Sequence, residues 1–483
     1  MRKQLAVTLP ALLLAACMVG PDYERPVIDT PKNWRFPAPR ALANVANTQW
    51  WQQFQDPVLN RLIQVALQEN KDLKIAAARI DQFLGQYAVV RSQLFPQLFG
   101  GAAGAKTESS LRTNPPALRG ERETNLYQGI FDLSYEIDLW GKLRRQTEAA
   151  QAELFASEEG RRAVILTLVA SVANAYTQLL GLDQQLALAQ STTESRAEFF
   201  RIIDLRFKAG IVSGLEVNQA KADYEGAAAT VPDYQRLIAL QEDLLSILLG
   251  RNPGPITRDR RLEQLALPVV PAGLPSGLLE RRPDILQAEQ NLIAANAQIG
   301  VARAAYFPTL SLTGSLGTVS ATLSDLLTGP ARIWQYGAAS TLPIFTGGAL
   351  SGQVQIAEAQ QQQLLFDYQR VIQQAFREVN DALISTQKYK EQIQVLASQV
   401  EALQNYRRLA WLRYDNGYVS MLEVLDADRR LFEAEINLVQ AQAQVYISLI
   451  NLYQAMGGGW VTQADAMTTG QTAAPPTQNP PWW

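Results

Sequence analysis

The sequence predicts an α+β membrane protein, in which very long helices are joined to a few strands that one chain cannot close into a barrel. Three observations carry this prediction. Proline is missing from two stretches far longer than a globular helix, the chain is duplicated in tandem, and each copy holds alternating strands of bilayer-crossing length.

The chain opens on a leader. Arg2 and Lys3 form a short basic segment, Leu5 to Ala15 is apolar apart from Thr8, and small residues precede Cys17, the only cysteine of 483 residues. The apolar run is too short to span a bilayer and suits a secretory signal. A lone thiol makes neither an intramolecular disulfide nor a multi-cysteine metal site. Leu14-Ala15-Ala16-Cys17 resembles a bacterial lipobox, in which cleavage leaves Cys17 as the lipid-bearing N-terminus; an ordinary cleavage site nearby is the alternative. Residues 1–16 are read as signal peptide and set aside from the fold.

Composition excludes several function classes. Charged residues make up 18% of the chain and the net charge is −3, so nothing suggests a nucleic-acid partner. Histidine is absent, which removes the commonest general base and the commonest zinc ligand together. Phosphate-loop and EF-hand spacings are not found. No cofactor, metal or catalytic set is expected. Beyond the leader no run of 18 apolar residues occurs, so a spanning helix is not expected either.

No proline occurs between Pro116 and Pro232, or between Pro343 and Pro475. Both gaps are rich in Ala, Gln, Leu and Glu, which favour helix. A helix of about 65 residues would be about 100 Å long, too long for a compact core to cover. Helices are expected over about 142–207, 213–250, 348–414 and 420–456, with a kink at Pro232.

The duplication is gap-free over its first part. Asp72 to Leu98 aligns on Asp284 to Leu310, sharing Ala76/Ala288, Gln86/Gln298, Val89/Val301, Arg91/Arg303, Phe95/Phe307 and Pro96/Pro308. A second match sets Arg206–Val217 on Arg413–Val424. The copies span residues 56–255 and 276–460, with a linker over 256–275. The period is too long for a solenoid, so two pseudo-symmetric units are expected in one protomer.

Strands follow each Phe-Pro, over about 97–110, 122–139, 309–320 and 331–345. Tyr127, Gly129, Phe131, Leu133, Tyr135 and Ile137 alternate with Gln128, Asp132, Ser134 and Glu136; Ile130 breaks the polar set. Leu310, Leu312 and Leu316 alternate with Thr and Ser, and Trp334, Tyr336 and Ala338 form a third apolar face. Such strands belong either to solvated hairpins on a soluble core or to a barrel wall with lipid outside and water inside. Their length suits a tilted bilayer crossing. Four strands cannot close, and open edges in lipid leave backbone groups unpaired. Chains must then share one barrel, and two or three copies both satisfy this.

Six segments carry a family resemblance: Cys17–Pro26 (CMVGPDYERP), Glu136–Arg145 (EIDLWGKLRR), Arg281–Ile285 (RRPDI), Ala294–Pro308, Leu342–Gly348 (LPIFTGG) and Gly457–Trp460. In this order they resemble the TolC superfamily, and most closely its lipoprotein branch of OprM-like outer-membrane channels, over nearly the whole mature chain. The resemblance implies a homotrimer with a twelve-stranded outer-membrane barrel continuous with a long periplasmic helical barrel. It also implies a mixed equatorial domain, along which the lipidated segment 17–55 would run. Its implied partners are outer-membrane lipid, a periplasmic adaptor and an inner-membrane transporter of the resistance-nodulation-division type. The implied function is passive drug efflux, with metal-ion efflux or protein secretion as alternatives. Residues 461–483, rich in Thr, Gln, Pro and Ala, are expected to be disordered.

Two kinds of site residue follow. The repeated turns hold Gly210, Val212 and Ser213, and Gly417, Val419 and Ser420. Helix capping explains their glycine and serine, and the resemblance adds that such turns meet the adaptor at the periplasmic tip. Leu422, Asp426 and Arg429 share one helix stripe, beside an apolar stripe of Leu425, Phe432, Ile436 and Val439. A solvated face with an Asp426–Arg429 pair is the plain reading. The resemblance implies instead a periplasmic gate. Three Asp426 carboxylates about 6 Å apart would repel by about 3 kcal/mol per pair, so closure needs cations, protonation or Arg429 as counter-charge. The rivals are a periplasmic adaptor lipoprotein, which would lack the hairpins, a trimeric adhesin, and an enzyme using Glu136 and Asp138.

Overall fold

The computed structural model describes residues 18–36, 49–110, 123–268, 275–457 and 460–468. Cys17 lies outside them. The described chain divides into two compact units. One comprises residues 18–27, 79–157 and 287–368, and the other holds the rest.

In chain order the elements are α1 (Pro57–Glu69), α2 (Lys71–Ser92), β1 (Gln97–Glu108), β2 (Glu123–Ile137), α3 (Lys142–Lys208), α4 (Gly214–Ala228), α5 (Thr230–Leu248), α6 (Pro283–Ala304), β3 (Thr309–Ser320), β4 (Arg332–Thr341), α7 (Ala349–Asp415), α8 (Met421–Met456) and α9 (Trp460–Thr468). The long helices α3 and α7 each run 67 residues, about as the proline gaps require. The most apolar stretch of α3 is two-thirds buried, so it is a packing surface of the fold. Pro232 acts as expected. The helix is interrupted for the single residue Ala229, and the proline falls in the first turn of α5, where a missing N–H costs nothing. Two expectations shift. The fourth strand stops at Thr341, before Pro343, whose ring cannot join a ladder. The tail expected to be disordered from residue 461 begins as helix α9, because Trp460, Val461 and Ala464 are buried.

The first unit contains a four-stranded antiparallel meander, β1-β2-β3-β4. The central seam joins the duplicates, with Ile137 opposite Leu310 and Tyr127 opposite Ser320. Gly317 makes this seam possible. A Cβ there would sit 2.2 Å from the Gly129 carbonyl oxygen. Where strands turn into helices, Asp138 caps α3 by accepting from the Leu143 and Arg144 amides at 3.1 and 2.9 Å. Trp140 stacks on Phe307 at 4.7 Å and donates to the Pro308 carbonyl at 2.8 Å. The chain after the leader is strapped onto this junction. Gly20 lies so near Gly300 that a Cβ would come within 2.4 Å of its Cα, and Asp22 pairs with buried Arg145 at 2.6 Å.

In the second unit, aromatic rings cluster within a largely aliphatic core. Trp50 stacks on Tyr453 at 4.8 Å, and Trp460 meets Trp51 edge-on at 5.3 Å. Asp56 is fully buried but satisfied, accepting from the Val58 and Leu59 amides and from the Tyr176 hydroxyl at 3.0 Å. That contact and burial push the phenol well above its usual range, burial being the larger cause. Arg282 of the RRPDI segment reaches Asp284 (2.6 Å), Glu378 (2.8 Å) and the Ala455 carbonyl (2.9 Å), closing the end of α8 at Gly457.

Candidate functional site: an exposed apolar sheet and two capped turns

Strand alternation divides the sheet into two unlike faces. One carries the rows Leu98–Leu133–Gly314–Tyr336 and Gly100–Phe131–Leu316–Trp334. Phe131, Leu316, Trp334 and Tyr336 are largely exposed, and the last two stack at 5.6 Å. An uncovered apolar patch of this size on a monomer marks a membrane or a partner. Its charged residues stand at strand ends, where Lys106 pairs with Glu123 at 2.7 Å and Arg332 begins β4. The opposite face carries Gln97, Ser134 and Thr313 in one row and Asp132, Ser315 and Gln335 in the next. Among the described residues β1 and β4 each leave one edge unpaired. An enzyme reading of Glu136 and Asp138 has no support, since Glu136 pairs with Lys142 at 3.2 Å and Asp138 is a helix cap.

The repeated turns have one geometry. Gly210 and Gly417 sit at φ +72° and +75°. The Gly210 amide donates to the Phe207 carbonyl at 2.8 Å and the Ile211 amide to Arg206 at 2.9 Å; Gly417 and Tyr418 repeat this to Tyr414 and Arg413. These are Schellman closures, which favour glycine at the left-handed position. Ser213 then caps α4, its amide donating to Glu216 at 2.8 Å. Ser420 holds the N-cap position of α8 without a side-chain cap bond, and there Glu423 turns to Arg413 at 3.3 Å. Val212 packs on a buried cluster of Phe199, Ile203, Ala220, Met421 and Leu425, while Val419 is half-buried. Ile211, Leu215 and Tyr418 stand exposed around them.

On α8 the two stripes separate. Leu425, Ile436 and Val439 are buried and Phe432 half-buried, whereas Leu422 is 54% exposed with Asp426 and Arg429 beside it. One expectation is corrected. The counter-charge of Asp426 is Arg430, at 2.8 Å and one turn on, rather than Arg429. Arg429 turns instead toward Asp223 of α4, 3.8 Å away. Asp223 is 7% exposed and already held by Arg196 at 3.2 Å, and Asp428 is held by Arg407 at 2.6 Å. Burial, the largest influence, raises the pKa of both carboxyls despite these cations. Sequence reasoning missed this network. The i, i+4 spacing of Asp426 and Arg430 was a legible signal; the pairing of α3 with α4 and of α7 with α8 was not. Among the described residues no group of three His, Cys, Asp or Glu is placed to hold a metal.

A sheet with one bare apolar face and two open edges, fed by helices of tube-like length, defines an outer-membrane channel protein. Comparison with known proteins agrees. The family model for outer membrane efflux proteins matches residues 62–251 and 274–458, one stretch per duplicate. The antibiotic efflux pump outer membrane protein ArpC of Pseudomonas putida is 37% identical over 466 residues, covering 95% of this chain and 96% of that protein. The cation efflux system protein CusC of Escherichia coli is 34% identical over 457 residues, covering 93% and 97%. The Campylobacter jejuni CmeC outer membrane channel superposes with a TM-score of 0.85 at 27% identity, covering 94% of this chain and 98% of that one. The chain belongs to the outer membrane efflux protein family. It is an outer-membrane exit duct of an efflux pump.

Proposed function

We propose that three copies join the open edge of β1 to that of β4 in the next copy, closing twelve strands around a water-filled duct, and that drug-like molecules leave through it. The observation that supports this best is the sheet itself, whose apolar face and unpaired edges are untenable in lipid unless copies complete one another. The greater identity to an antibiotic efflux protein favours organic compounds as cargo, and the cation efflux relative makes metal ions the second reading. A periplasmic adaptor would dock on the turns at Gly210, Val212 and Ser213 and at Gly417, Val419 and Ser420. An inner-membrane transporter of the resistance-nodulation-division type would supply the energy. Cys17 would carry lipid.

Leu422 and Asp426 narrow the duct, with the Asp426–Arg430 pair lowering the mutual repulsion of the three carboxylates and Leu422 excluding water. Arg429 tethers α8 to α4 through Asp223, so opening requires that contact to be exchanged. The test is single-channel recording in planar bilayers. Leu422→Ala with Asp426→Ala should raise conductance and admit large antibiotics without any pump. Unchanged conductance in correctly assembled trimers places the gate elsewhere. Co-purification from native membranes should bring an adaptor and a transporter with the channel.

A further inference from the structure

The polar face of the sheet is almost free of charge, and its one uncompensated charge is Asp132. Along this face β1 presents Gln97, Phe99, Gly101, Ala103, Ala105 and Thr107, and β4 presents only uncharged residues. β3 contributes Thr, Ser, Gly and Val. On β2 the charged residues of this face are Asp132 and Glu136. Glu136 is neutralised by Lys142 at 3.2 Å, and just beyond the strand Asp138 is neutralised by Arg144 at 3.2 Å. Asp132 sits mid-strand, exposed, between Phe99 and Ser315, with no cation at ion-pair distance among the described residues. Lys106, Glu108, Glu123 and Arg332 alternate onto the other face, at strand ends. Each copy therefore adds one net negative charge to the polar wall.

We propose that Asp132 makes the membrane-spanning part of the duct prefer cations over anions, organic cations included. This rests on the reading that the polar face lines the water-filled interior. In a trimer three carboxylates stand at one height. A twelve-stranded barrel puts them about 10 Å from the axis, close to one Debye length at 0.1 M salt. Their summed field in water then favours a monovalent cation over an anion by about fourfold. The flanking residues suit cargo with apolar surface as well as positive charge. Phe99 is exposed directly opposite Asp132, and Ile130 and Ile333 lie in the neighbouring row, on either side of Gly317.

The test is the reversal potential of the channel in a potassium chloride gradient, for the wild type, Asp132→Asn and Asp132→Lys. Each protein is placed in the Leu422→Ala, Asp426→Ala, Arg430→Ala background, so that the turn end contributes neither the Asp426 charge nor that of its partner Arg430. Asp132→Asn keeps the side-chain shape, and a heat-modifiable trimer band confirms assembly. The parent should show about a fourfold potassium preference at 0.1 M salt, weakening at 1 M as screening grows. Asp132→Asn should bring the ratio near one, and Asp132→Lys should invert it. A conducting channel whose reversal potential is the same in all three overturns the proposal and leaves the duct reading standing. A correctly assembled trimer that conducts no ions overturns both.

Discussion

Arg282 illustrates how single side chains hold this molecule together. Its guanidinium is almost wholly buried, and two carboxylates and a helix-end carbonyl surround it. Removing one partner of a buried ion pair strands the others, at about 3 kcal/mol. Arg282→Met should lower the melting temperature of the purified channel. Arg282→Lys should not restore it, since an ammonium cannot reproduce the planar fork. Asp223 and Asp428 make a pH prediction. A carboxyl whose pKa is raised by folding binds its proton more tightly when folded. Its contribution is complete below the ordinary aspartate pKa and is lost as pH rises through the raised value. Acidification from neutral should therefore stabilise the folded protein through these two groups. The Asp223→Asn, Asp428→Asn double variant should show a smaller rise in melting temperature between pH 7 and pH 5. At this scale the sequence was only partly readable. Helical spacing placed Leu422, Asp426 and Arg429 on one stripe, yet which arginine answers Asp426 depends on a carboxylate, Asp223, on another helix.

Elements were far more legible than their partners. Proline gaps and alternation located both long helices and all four strands to within a few residues, because those signals are local. The glycines show where the backbone is under constraint. Gly317→Val should abolish the heat-modifiable trimer, since the side chain would occupy the place of the Gly129 carbonyl. At the turns Gly210 and Gly417 meet open space, so only their left-handed backbone resists substitution. Gly210→Asp with Gly417→Asp should cost about 1 kcal/mol per site and leave the trimer folded while weakening drug efflux. Normal efflux at normal expression would count against docking at these turns. What the sequence hid was α9, whose short run gains its place from Trp460 in an aromatic core assembled from distant residues.

At the scale of the whole molecule, the apolar face sets membrane insertion. Trp334→Arg, on that face of β4, should disfavour insertion and reduce recovery of assembled channel from the outer membrane. Cys17→Ser should eliminate fatty-acid labelling, and label retained in the variant would dismiss the lipobox. The seam between β2 and β3 reaches further than mechanics. Each hairpin is local and forms in microseconds, but Ile137 and Leu310 are about 170 residues apart in the chain. The first hairpin emerges during export long before its neighbour exists, with a bare apolar face and two vacant edges. It must wait while an entire helical excursion is synthesised, translocated and folded back. The duplicated architecture thus places the hazardous moment in biogenesis rather than in transport. The time spent with half a wall exposed in the periplasm should set how strongly this protein depends on chaperones, and slowing translation between the duplicates should raise its aggregation before it affects any property of the finished channel.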